Sequence, residues 1–113
     1  MNVRTATQEE ALKLVPTLAG SAVVYVAQDG DTPCGYVAVN TDGRTMYAHE
    51  FWCGDRPYAA VMLWQRVRAE AAVLGYPFVM FDINDDYPAL KRLKRLGGSG
   101  GYGTMSVPAL GRG

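Results

Sequence analysis

Apolar positions along the chain fall into two rhythms. Across residues 58–74, Ala60, Leu63, Trp64, Val67, Ala71 and Leu74 recur at spacings of three and four. That gathers them on one side of a helix and leaves Gln65, Arg66, Arg68 and Glu70 mostly elsewhere. Gly75 can end the helix in a left-handed conformation, and Pro77 blocks its continuation. On both sides of it the pattern is that of strands. Residues 21–28 are rich in Val and Tyr, and residues 34–39 and 44–53 follow after Asp29-Gly30-Asp31 and Asn40-Thr41-Asp42-Gly43. Such short, turn-forming connections predict an antiparallel meander. Residues 78–83 are apolar at nearly every position, as expected of a central strand paired in parallel.

The ends of the chain are read more coarsely. Residues 2–6 predict a short first strand. Thr7 with Glu10 forms a capping box, the hydroxyl capping the helix and the glutamate reaching back. The helix it opens should run through residue 18, with Ala11, Leu12, Leu14, Val15 and Leu18 inward. Pro16 would bend or end it early, and Gly20 would close it. A last helix is predicted over residues 87–96, with Pro88 in its first turn. It would turn Leu90, Leu93 and Leu96 inward and Lys91, Arg92, Lys94 and Arg95 outward. The glycine-rich stretch 97–101 has no strand before it and no helix after it, so it reads as a hinge and not a phosphate loop. Residues 102–107 predict an edge strand, and 108–113 a flexible tail. The order β-α-β-β-β-α-β-α-(β) is an α+β mixed sheet, an antiparallel meander followed by a βαβ unit, in one domain over residues 1–107.

Composition narrows the function classes. The 113 residues are 49% hydrophobic and 19% charged, and Lys+Arg 11 against Asp+Glu 11 gives zero formal net charge. That balance argues against a nucleic-acid binder working through a broad basic face. No apolar run approaches the roughly 20 residues needed to span a bilayer, and the first residues lack the layout of a secretory signal. Cys34 and Cys53 are too few for a disulfide framework and read as buried free thiols in a reducing compartment, which points to the cytoplasm.

Three antiparallel strands, a long helix, a parallel-paired strand and a short helix ending in Leu96-Gly97 resemble the acyl-CoA N-acyltransferase (GNAT) superfamily. The resemblance covers about residues 2–107 and is strongest over 89–97. It implies acetyl-CoA as cofactor and acylation of an amine as reaction. In that family the turn after the fourth strand carries Gln/Arg-x-x-Gly-x-Gly/Ala, whose backbone amides hold the coenzyme's pyrophosphate at a helix N-terminus. Here that turn is residues 56–61. Arg56 keeps the first position, Ala59 and Val61 stand in the two glycine positions, and Pro57 brings no amide. The implied cofactor set is therefore Arg56, Tyr58, Ala59 and Ala60, in altered form. Where the family often places a tyrosine acid in its last helix this chain has Leu93, and Gly98 replaces the usual aromatic. The family's base often lies late in the strand that here holds His49 and Glu50. As neighbours on a strand these two should point to opposite faces, so only one faces a given substrate.

Other polar residues have readings in both directions. Asp82 interrupts an apolar strand, either as a base with a raised pKa or as a cap at the sheet's end. Asn84-Asp85-Asp86 fits a helix N-cap better than a metal site. The basic run 91–95 could meet a phosphate or an acidic partner, or be a solvated helix face. Trp52 and Trp64 read as core, and Tyr58 and Tyr87 open two helices.

Two functions follow. One is a small acetyl-CoA-dependent N-acetyltransferase. The other, favoured by the lost glycines, is a non-catalytic structural or interaction protein of the same fold, with no cofactor and with a protein partner in a larger assembly. Short, altered versions of this fold occur in bacteriophages, some as virion components, which would place such a chain in a virion. A toxin- or antitoxin-type regulator is a third use of the scaffold. An enzyme should show open amides at 57–60 and a cleft between strands 46–53 and 78–83. An assembly part should have that cleft filled, by Tyr58 for example, and an apolar patch elsewhere.

Overall fold

Turn chemistry folds the first half of the chain back on itself. Gly30 (φ 61°) and Gly43 (φ 89°) supply the left-handed residues that two tight connections need. The structure, a computed structural model, describes residues 1–16, 22–43, 45–54, 56–82 and 104–110. Its elements are β1 (Asn2–Thr5), α1 (Gln8–Leu14), β2 (Val23–Asp29), β3 (Thr32–Thr41), β4 (Met46–Trp52), α2 (Pro57–Leu74), β5 (Phe78–Asp82) and β6 (Thr104–Pro108). Among the described residues these strands form one six-stranded sheet in sequence order. Neighbours from β1 to β4 are antiparallel, β5 runs parallel to β4 after the α2 crossover, and β6 closes the edge antiparallel to β5. The meander and the βαβ unit are as the sequence predicts. The expected last helix (87–96) and glycine-rich hinge (97–101) lie outside the described residues.

The sheet has two unequal cores. α2 lays Ala59, Leu63, Trp64, Val67 and Ala71 on Tyr25, Val37, Val39, Met46, Ala48, Val79, Phe81 and Val107. On the other face the short α1 sets Ala11 and Val15 on Val24, Val26 and Ala38. β5, apolar on both faces in sequence, buries Val79 and Phe81 but leaves Phe78 half exposed.

α1 is shorter than expected. It ends at Leu14 with Val15 extended (φ −129°, ψ 85°), because a residue before proline is driven out of the helical region by the Pro16 ring. Half of the capping box forms: Thr7 Oγ1 accepts from the Glu10 N–H at 3.2 Å. The Glu10 carboxylate does not reach back. Arg4 of β1 donates to both its oxygens, at 2.6 and 2.7 Å, and fastens β1 to the helix. Those hydrogen bonds hold the Glu10 carboxyl below its ordinary pKa. A depressed carboxyl stabilises the fold above its unfolded pKa, and the contribution is lost as pH falls through the folded value. Glu10→Gln is therefore expected to cost about 1 kcal/mol at pH 7, given that both side chains remain partly exposed. Urea midpoints should show that difference closing in the acid range below the ordinary carboxyl pKa.

The α2 stripe is also corrected at two places. Leu74 is exposed, although Ala71 three residues earlier is fully buried. Arg68, placed off the apolar face by its spacing, is buried, and its Nε donates to the Pro108 carbonyl at 2.8 Å. Burial lowers its pKa. The following backbone is tied down as well: the Ala109 N–H donates to Pro77 O at 2.9 Å and the Leu110 N–H to Arg68 O at 3.1 Å. Ala109 is fully buried, and Leu110 is held by its backbone with its side chain about half exposed.

Candidate functional site

The site region is built around an irregularity in β4. Ala48 pairs with Val39 and Glu50 with Ala38, so His49 is the extra residue of a β-bulge. Up to the bulge, Met46 and Ala48 face α2; beyond it Phe51 and Cys53 do. Glu50 and Trp52 are exposed. The change of phase means that the alternation of Met46 and Ala48 does not carry through to Phe51 and Cys53. The His49 side chain lies outside the described residues. Glu50 is near the partly buried Tyr36, whose hydroxyl pKa is raised by burial and then by the Glu50 charge.

Within the described residues, the β4–β5 ladder ends one step before the bulge. Its pairs are Met46↔Val79, Tyr47↔Met80 and Ala48↔Phe81, whereas β4 runs on to Trp52 alongside β3. Asp82 closes β5 and pairs with Thr104 of β6. On the α2 side of this ladder end the space is filled by rings. Trp64 stacks on Phe51 of β4 (centroids 5.7 Å, planes 25° apart) and meets Phe81 of β5 at 4.7 Å. Trp64 is 3% exposed, and its buried indole Nε1 has no hydrogen-bond partner among the described residues. The residue expected to fill the cleft, Tyr58, is instead 62% exposed.

Arg56, Tyr58, Ala59 and Ala60 lie at the turn into α2, which offers few donors. Pro57 is the first helical residue and has no N–H. The Ala59 N–H donates to the Arg56 carbonyl at 3.0 Å, a tight first turn that uses one amide such a site would need. Ala59 and Ala60 are almost wholly buried, so their small side chains serve the packing of α2 on the sheet. The Arg56 guanidinium reaches across the surface to Asp29 at the end of β2 (3.1 Å), with both side chains about half exposed.

One feature was not foreseen. Trp52, expected in the core, is half exposed, its ring 6.0 Å from that of Tyr36. The available signal was its spacing of two from Glu50, which puts both on one side of the strand. Cys34 is buried and Cys53 partly so, both free; burial pushes the Cys53 thiol up, away from the reactive thiolate. Asn84, Asp85, Asp86, Tyr87 and the basic run 91–95 lie outside the described residues. Among the described residues no group of three His, Cys, Asp or Glu could hold a metal, and no helix is long and apolar enough to cross a membrane.

No protein-family model matches this sequence, and no curated protein does. Solved structures do. Tetrahymena GCN5 superposes with a TM-score of 0.71 at 9% identity, covering 96% of each chain. E. coli YhhK, in a structure bound to coenzyme A, gives 0.67 at 11%, covering 96% of this chain and 99% of that one. An aminoglycoside 6'-acetyltransferase of type Ii gives 0.64 at 14%, covering 94% and 81%. At such identities the likeness is one of fold, and the fold is that of the GNAT acetyltransferases.

Proposed function

We propose that this GNAT-fold chain is a non-catalytic interaction part, held by a protein partner in a larger assembly, and that it does not grip a coenzyme A diphosphate. The first turn of α2 carries this reading. An anion at a helix N-terminus is held by free amides. Pro57 has none, and the Ala59 amide is already hydrogen-bonded to Arg56. The one cation of the turn is engaged with Asp29. The Phe51–Trp64–Phe81 stack supports the same reading, since it occupies the α2 side of the region where β4 outruns its pairing with β5 among the described residues.

A second reading, an acyl-CoA-dependent acylation of an amine, is favoured by one observation: the bulge at His49 beside the end of the β4–β5 ladder. A bulge next to an active site re-aims side chains, and Glu50 would be the exposed base that takes the amine's proton. E. coli YhhK, of the same fold, binds coenzyme A.

Thermal denaturation with acetyl-CoA separates the two. A ligand at a hundredfold excess over its Kd stabilises by about 2.7 kcal/mol. The interaction reading expects no change in Tm up to millimolar acetyl-CoA. A concentration-dependent rise would overturn the interaction reading, and acyl transfer to an amine would then be measured to test the second.

A further inference from the structure

The side of the sheet that carries α1 leaves an uncovered group at its β3–β4 end. Tyr36 sits directly opposite Trp52, and Glu50 opposite Ala38, so Tyr36, Glu50 and Trp52 share one face of adjacent strands. The two rings lie 6.0 Å apart with planes 34° from parallel, which makes two walls at an angle. Trp52 is held in place despite being 49% exposed. A Cβ on Gly54 would come within 3.2 Å of its Cζ2, so the indole lies close over the turn that follows β4. Among the described residues Glu50 has no ion-pair partner. Its charge is instead felt by the Tyr36 hydroxyl.

A carboxylate beside two aromatic faces is a surface for a cation. The ring quadrupole attracts an ammonium or guanidinium group, and the carboxylate supplies a hydrogen-bond acceptor. Because the chain carries zero formal net charge, attraction at this spot is local and not a property of the whole surface. We propose that Tyr36, Glu50 and Trp52 receive a lysine or arginine side chain presented by a protein partner. This rests on the interaction reading above and names the chemistry of the partner.

The test uses the two tryptophans. Trp52 is exposed and Trp64 is buried, so a ligand at this patch changes the emission of the first. Titration with acetylated hexalysine amide should give a saturable change in emission, and a neutral Gly-Ser hexapeptide none. Anisotropy of labelled hexalysine should show binding at least threefold weaker for Glu50→Gln and for Trp52→Leu. Glu9→Gln, which removes an exposed charge on α1, should leave it unchanged, with far-UV circular dichroism matching wild type in all three. Absence of saturable binding, or an equal loss in Glu9→Gln, overturns the proposal. Acetyl-CoA added to the same samples keeps the two readings apart. Coenzyme binding overturns the interaction role alone, and failure of hexalysine without coenzyme binding overturns the cation site alone.

Discussion

Trp64→Ala is expected to cost about 3–5 kcal/mol, the range for removing a large buried aromatic. Trp64 stands between Phe51 of β4 and Phe81 of β5 and is 3% exposed. It therefore joins the two parallel strands through side chains where their ladder of described pairs runs out. A whole domain of this size is stable by only about 5–15 kcal/mol, so the variant should be largely unfolded at moderate urea. The midpoint should fall with the slope unchanged. Trp64→Phe is expected to cost less than half as much. It leaves a smaller gap, and it removes a buried Nε1 that has no hydrogen-bond partner among the described residues and costs about 1–3 kcal/mol to keep dry. Equal losses for the two variants would mean that the indole nitrogen is satisfied and the ring's position is fixed by a hydrogen bond.

Gly35→Val should be nearly as damaging, for the opposite reason. A Cβ at Gly35 would stand 2.8 Å from the Trp52 carbonyl oxygen, 3.2 Å from Leu63 Cδ1 and 3.3 Å from Cys53 Cα. The first and last are backbone atoms at the end of the neighbouring strand β4, and they cannot retreat without opening the β3–β4 ladder. Overpacking of this kind costs about 1–3 kcal/mol and sometimes more. Alanine already meets the 2.8 Å contact, and the two methyls of valine add pressure on Leu63. Gly30→Ala and Gly43→Ala are the controls. Their surroundings are open, so only the positive φ is strained, at about 1–2 kcal/mol. Urea denaturation of the four variants should separate the close approach at Gly35 from turn strain.

What the sequence revealed was whatever rests on periodicity. The α2 stripe from Ala60 to Ala71, the meander strands and the parallel strand after Pro77 appear within a few residues of their expected places. Deviations arise where a tertiary contact overrides the pattern. Leu74 continues the stripe by spacing but is exposed. Arg68 breaks it, yet is buried because its long stem lets the guanidinium meet the Pro108 carbonyl. Glu10 is drawn from the capping box by Arg4, a residue on another element. The bulge at His49 is invisible in sequence, because one inserted residue leaves the strand's composition unchanged while reversing which side chains face α2.

The candidate site was legible in the same measure. That Pro57 and Ala59 would impoverish the turn follows from residue type, and the structure adds that the Ala59 amide is turned onto Arg56. The exposure of Tyr58 was not legible, and that of Trp52 was marked only by its spacing of two from Glu50, because ring direction depends on what surrounds each ring. A tryptophan between apolar neighbours looks the same in sequence whether its face is covered or open.

The central claim concerns the amides of one helical turn, and a titration of 15N-labelled protein with coenzyme A, followed by 1H–15N NMR, reads them directly. The resonances of Tyr58, Ala59, Ala60 and Val61 should stay within a line width of their starting positions up to millimolar ligand. Saturable movement concentrated on those four amides would show a diphosphate seated at the start of α2, and would contradict the account.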